Sequence, residues 1–164
     1  MTTQTSDYWK LFKAGHCNLK LKGANKEAVL TELVETIVKA KVLDASKQEA
    51  ATKALVEREK LASTGVGMNV AIPHVQVEGI DQVIVNISLH PEGVEWAALD
   101  GEPVHIFFTV LRPSKPGDSY DPERHLEMMR WLSRLCRHAD FRRFAQSVNN
   151  RTELVELLKE MSSC

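Results

Sequence analysis

Eight residues, VHIFFTVL at 104–111, restrict the fold of this chain more than any other stretch. The run is nearly continuous in apolar, β-branched and aromatic side chains, the pattern of a strand buried on both faces. Such a strand needs cover above and below it. Residues 82–89 (QVIVNISL) alternate and predict a neighbouring strand. Residues 68–72 (MNVAI) are a third extended piece, limited by Pro73, which cannot donate to an interior ladder. Residues 18–21 (NLKL) predict one more short strand. PEG at 91–93 and LDGEP at 99–103 carry turn chemistry on either side of the short VEWA piece.

Helical periodicity supplies the cover. Residues 7–13 predict a short helix. Asn25 can cap a helix whose Ala28, Val29, Leu33, Ile37 and Val38 share one face. Ser46 and Glu49 predict a capping box that opens a second helix, through Leu55 towards Leu61. Beyond a polar loop at 112–120, Asp121 and Pro122 open a helix running to about Arg137. Shorter helices follow near 140–147 and 151–161, the last with Asn150 and Glu153 as a second box. No repeat or linker divides the chain. The prediction is an α/β fold: one domain over residues 1–164, a mixed parallel and antiparallel sheet of about five strands, and helices on both faces. Residues 1–6 are polar and expected to be loose.

Composition narrows the class. With 43% apolar and 26% charged residues, the balance is that of a soluble globular protein. A net charge of −1 gives no electrostatic footprint for nucleic acid or a membrane surface. No apolar run nears the roughly 20 residues of a spanning helix, so no direct membrane insertion is expected. The start MTTQTSDYWK lacks a signal pattern, and the expected compartment is the cytoplasm. Cys17, Cys136 and Cys164 offer no CxxC spacing and are expected as reduced thiols.

The candidates for chemistry are histidines. There are six, with no HExxH or HxH pair, so no metal centre is expected. GVGMNVA lacks the GK[ST] of a phosphate-cradling ATP loop, and no cofactor is expected. His74 stands apart. Pro73 before it fixes the local backbone, and Gly65 and Gly67 permit tight turning just upstream. Ser63 and Thr64 add small hydroxyls, and Ser63, Thr64, Gly65 and Gly67 together could form an anion nest suited to phosphate. An imidazole with its ordinary pKa of about 6.5 is a competent nucleophile near neutrality. Against this stands the plainer reading, a histidine closing a strand on a carbonyl. His125 lies in the first turn of the Pro122 helix, where free N–H groups and the dipole favour an anion; otherwise it is a solvated helix residue. Arg58, in VEREK, is on spacing alone one member of a solvated charge run.

Beyond spacing, the segment ALVEREKLASTGVGMNVAIPHV resembles the active-site segment of the fructose/mannitol class of enzyme IIA domains. That class belongs to the bacterial phosphoenolpyruvate-dependent phosphotransferase system and includes the nitrogen-regulatory enzyme IIA proteins. GVEWAALDGEPVHIFFTVLRP, HLEMMRWLSRLCR and TELVELLKE resemble further family runs, so the likeness extends from about Ala24 to Lys159. It departs at Met68-Asn69, where the family has Asn-Gly, and in the charged loop at 112–120. The resemblance implies a mannitol-type enzyme IIA fold and a phosphocarrier. His74 would take the phosphoryl group from the phosphohistidine of HPr, on the ε nitrogen. His125 would be the second active-site histidine and Arg58 would help to hold the phosphate. The acceptor would be an enzyme IIB cysteine or a regulated protein. Such a partner surface predicts a shallow apolar depression, with Val66, Met68, Val70 and Val75 as candidates for its rim. Three other readings stay open: a stand-alone regulatory module switched by phosphate, a degenerate binding domain, and a hydrolase using the histidine pair.

Overall fold

Five strands, β1 (Gly65–Gly67), β2 (Val70–Ala71), β3 (His74–Val77), β4 (Ile84–Val94) and β5 (Val104–Pro113), form one mixed sheet built around the apolar run. The computed structural model describes residues 7–115, 117 and 120–163. β4 pairs antiparallel along one side of β5. Along the other side, β2 and then β3 pair parallel with it, as two pieces of one broken lane. β1 folds back antiparallel on β2.

The break in that lane falls at Ile72-Pro73. Proline has no N–H to give, while its carbonyl still accepts from Val110 N at 2.9 Å, so the chain stays beside β5 and pairing restarts at His74.

Successive β5 side chains enter two cores. Ile106, Phe108 and Val110 pack with Trp131 and Leu132 of α3 (Pro122–Cys136), Phe141 of α4 (Ala139–Ala145) and Leu154 of α5 (Arg151–Glu160). Phe107 and Leu111 pack on the opposite face with Val29 and Leu33 of α1 (Lys26–Lys39), Leu55 of α2 (Gln48–Leu61) and Trp96. Helices thus cover both faces, as the composition of the run demands. Each such side chain stabilises the fold by about 1.5–3 kcal/mol relative to exposure.

The caps explain where the helices begin. Asn25 Oδ1 accepts from Ala28 N at 2.9 Å, and Asp121 Oδ1 accepts from Glu123 N at 3.0 Å with Pro122 at the first position. Asn150 Oδ1 accepts from Glu153 N at 2.9 Å, while Glu153 Oε2 reaches back to Asn149 N at 2.7 Å.

Four local expectations are corrected. The Ser46 box does not form: Asp44 accepts from Ser46 N at 2.9 Å, a 3₁₀ turn covers Ala45–Lys47, and α2 starts at Gln48 without a side-chain cap. Residues 18–21 are not a strand; only Asn18 and Leu21 bond to the Ser88–Leu89 stretch of β4, because Asn18 Oδ1 turns the chain by accepting from Lys20 N at 2.9 Å. The predicted PEG turn lies inside β4 as a register shift between Leu89 and Val94, with Gly93 at φ 79°. The helix at 7–13 is one 3₁₀ turn, Tyr8–Leu11. The expectations for residues 1–6, for Cys164 and for positions 116, 118 and 119 of the polar loop lie outside the described residues.

Candidate functional site

His74 opens β3 instead of closing a strand. Its Cα partner across the parallel ladder is Val110, and Gln76 is partnered by Arg112. Strand partners share a face, so His74, Gln76 and Arg112 all project to the side covered by α3. Asp121 and Pro122 start α3, and His125 follows in its first turn.

The His74 ring is half-buried, and its Nδ1 lies 2.7 Å from Ile72 O. A carbonyl oxygen only accepts, so Nδ1 carries the proton and Nε2 of the neutral ring holds the lone pair. The strand break frees that carbonyl for the ring.

His125 is half-buried, and its Nδ1 is closed to solvent without a hydrogen-bond partner among the described residues. The Tyr120 ring meets it edge-on at 5.8 Å, and both help to wall a cavity of about 140 Å³ with Val83, Arg124 and Met128. Burial pushes the His125 pKa below the ordinary histidine value, and the positive charge of Arg112, with that of His74 whenever its ring is protonated, pushes it further down. The two histidines and Arg112 therefore share one electrostatic neighbourhood.

Arg112 is held in place. With the Gln76 amide oxygen turned towards it, Arg112 Nη1 and Nη2 donate to that oxygen at 2.7 and 3.1 Å. Arg58 is placed differently: its Nη1 donates to Ala62 O at 2.9 Å, just past the end of α2, and it makes no hydrogen bond to either ring among the described residues.

The hydrogen bonds of the loop bear on the expected anion nest. Thr64 is buried, its N–H and Oγ1–H donating to the two Glu59 carboxylate oxygens at 2.8 and 2.6 Å. Ser63 Oγ donates to Trp96 O at 2.7 Å and accepts from Gly65 N at 3.1 Å. Past Gly67, which has φ 92°, Met68 N donates to Asp100 Oδ2 at 2.8 Å. Glu59 thus takes the N–H of Thr64, the Ser63 hydroxyl that of Gly65, and Asp100 that of Met68. Ser63, Thr64, Gly65 and Gly67 shape the hairpin that delivers His74.

The Met68-Asn69 turn keeps left-handed geometry at both residues, with φ 58° and 67°, and Asn69 Nδ2 anchors it on Pro103 O at 2.8 Å. Of the expected rim, Val66 is exposed and Met68 is half-buried, while Val75, paired with Leu111, packs on the opposite face from His74. Val70 is instead core, since β2 turns it towards Ile106 and Trp131.

Sequence reasoning missed Arg112, Gln76 and Glu59. A period-2 count from His74 and Val110 would have put the first two on one face, had the register been known.

A neutral imidazole with Nδ1 engaged and no hydrogen-bond partner at Nε2 among the described residues, on one face with a guanidinium and near a second ring, has the chemistry to attack an anionic group. Comparisons with known proteins show the family. Residues 10–161 match the family described as "Phosphoenolpyruvate-dependent sugar phosphotransferase system, EIIA 2", and the chain belongs to this family. It is 31% identical over 138 residues to a fructose-specific EIIA component of Haloferax volcanii, covering 84% of this chain and 85% of that one. It is 28% identical over 154 residues to a nitrogen regulatory protein of Pseudomonas aeruginosa, covering 94% and 96% of the two. The crystal structure of the nitrogen regulatory protein IIA-Ntr from Neisseria meningitidis is similar, with TM-score 0.76 and 26% identity, covering 93% of this chain and 99% of that one.

Proposed function

We propose that the chain is a phosphohistidine carrier of the phosphotransferase system. His74 Nε2 accepts a phosphoryl group from the phosphohistidine of an HPr-type donor and passes it to a cysteine of an enzyme IIB. The observation that carries this reading is the 2.7 Å contact from His74 Nδ1 to Ile72 O, which leaves Nε2 as the available nucleophile. Family membership supplies the class of reaction.

The transfer is in line. A P–N bond to His74 Nε2 forms as the donor's P–N bond breaks. With the donor ring protonated on its other nitrogen, it leaves as neutral imidazole while the proton on His74 Nδ1 stays against Ile72 O. No net proton moves. The protein's contribution is position and charge. Arg112, fixed by Gln76, offers its remaining N–H donors to the phosphoryl oxygens. Arg58, engaged at Ala62 O through one nitrogen, has further donors to add. His125, favoured in its neutral form by burial and by the Arg112 charge, supports the incoming group.

Incubation with phosphoenolpyruvate, enzyme I and HPr is the direct test. Wild type gains an acid-labile, base-stable phosphate, and H74A gains none. Full labelling of H74A overturns the assignment.

The likeness to a nitrogen regulatory protein over 94% of this chain favours a second reading. There the phosphate on His74 switches an interaction with another protein, as an added charge can. Passage of the label to an enzyme IIB cysteine separates the two. Both readings place the protein in the cytoplasm with its donor, and no helix among the described residues is long and apolar enough to cross a membrane.

A further inference from the structure

A buried carboxylate lies at the far end of a hydrogen-bond chain that reaches the His74 ring. Glu59, near the end of α2, is only 7% exposed. Its Oε1 accepts from Thr64 N at 2.8 Å and its Oε2 from Thr64 Oγ1 at 2.6 Å. Thr64 O then accepts from Ile72 N at 3.0 Å, closing the base of the β1–β2 hairpin. Ile72 O, on the same residue, accepts from His74 Nδ1 at 2.7 Å. Each link fixes the next, and hydrogen bonds in series polarise one another in a buried setting.

The carboxylate is itself held from two sides. Lys26 Nζ donates to Glu59 Oε1 at 3.2 Å and stands 5.5 Å from the centre of the Trp96 ring. Trp96, fully buried, donates Nε1–H to Thr64 Oγ1 at 3.1 Å. Thr64 Oγ1 thus gives to Glu59 and receives from Trp96, which leaves it one orientation. A buried carboxylate with this many partners is costly to disturb: removing one acceptor strands a Thr64 donor without water.

We propose that Glu59 is a positioning residue for phosphoryl transfer, holding His74 through Thr64 and Ile72 in the tautomer that leaves Nε2 reactive. The consequence for transfer rests on the phosphocarrier reading; the tautomer itself does not. Glu59 touches neither the ring nor the phosphoryl group. It fixes the hairpin base, and hence where the Ile72 carbonyl stands.

Two variants test this. In Glu59→Gln the amide has a single acceptor oxygen for two Thr64 donors. In Thr64→Val the main-chain N–H keeps its bond to the carboxylate and only the hydroxyl links are lost. Ring ¹⁵N NMR of phosphate-free protein reads the His74 tautomer directly. Wild type shows Nδ1–H. E59Q raises the Nε2–H tautomer by about fivefold to tenfold, the effect of one lost hydrogen bond, and T64V shifts it less in the same direction. Phosphoramidate supplies a chemical readout without partner proteins: its P–N bond breaks, ammonia leaves and the phosphoryl joins the ring nitrogen that carries the lone pair. Wild type yields the Nε2 adduct, and E59Q yields an Nδ1 adduct beside it. A merely structural brace lowers stability and leaves this ratio unchanged. Folded E59Q and T64V with the wild-type tautomer and adduct overturn the proposal, as does an Nε2–H ring in wild type. If E59Q does not fold, T64V decides. Failure of wild type to accept phosphate from phospho-HPr overturns the carrier reading alone, and the tautomer still decides the role of Glu59.

Discussion

Gln76 and Arg112 stand opposite each other across the β3–β5 ladder, and the Gln76 amide oxygen takes two N–H bonds from the guanidinium. One side chain fixes the other beside the two histidines. Arg112→Gln is expected to slow phosphoryl acceptance about 10²-fold, the loss found when a preorganised donor is removed. It also removes a positive neighbour of His125, so the pKa of that ring rises towards the ordinary histidine value. Rapid-quench labelling measures the first effect and an NMR titration the second.

His125→Ala separates acceptance from onward transfer. His74 Nδ1 is held by Ile72 O without help from His125, which leaves the Nε2 lone pair in place, so the variant is expected to accept phosphate. Its phospho-form should decay faster or transfer more slowly, since support of the phosphoryl group is lost. Pulse-chase of labelled protein gives both rates; wild-type values for both remove His125 from the site.

Phosphorylation of His74 should raise the pKa of His125. Arg112, and His74 when its ring is protonated, hold it down, and a dianionic group on His74 puts negative charge beside it instead. Chemical-shift titration with and without the phosphate tests the direction.

Acid should weaken the fold in a window set by two histidines. Burial lowers the pKa of both His125 and His16, with Arg112 and His74 adding to the first and Lys13 to the second. The unfolded chain then binds more protons, so stability rises with pH across the window. The contribution is full above the unfolded value of about 6.5 and is lost as pH falls towards the folded values. Asp44 and Asp100, lowered by the backbone N–H groups they accept, act in a separate window below about 3.9. Urea midpoints at pH 7.5 and 5.5 should differ less in H125N than in wild type.

The hairpin turn offers a gain. Met68 sits at φ 58°, a region that costs a non-glycine residue about 1–2 kcal/mol. Met68→Gly should raise Tm by about 2–4 °C, for roughly 1 kcal/mol recovered in a chain of this size. A lower Tm would mean that packing of the half-buried Met68 outweighs its strain.

Much of the architecture was legible because burial leaves a periodic imprint. VHIFFTVL predicted a strand covered on both faces, and its alternate residues do enter two cores. Asn25, Asp121 and Asn150 announced three helix starts through the chemistry of a short side chain beside free N–H groups. The Ser46 box failed because Asp44, two residues earlier, competes for the same N–H. Pro73 and the glycines drew attention to His74, and the family resemblance made the class of protein legible. Arg112 and Glu59 were not, since each acquires its neighbours only through pairing register or a turn that brings distant segments together. Thr64 looked like a phosphate ligand by composition. Only the position of Glu59, five residues back along the chain, shows where its donors go.

The group that sets which nitrogen of His74 keeps its lone pair is a peptide oxygen, that of Ile72. No single amino-acid replacement can delete it; replacements can only shift it. Apolar side chains of the rim, such as the exposed Val66, are thus free to drift over evolutionary time, changing which proteins dock while the same nitrogen keeps its lone pair. A lineage built on this plan can exchange partners and retain one chemistry.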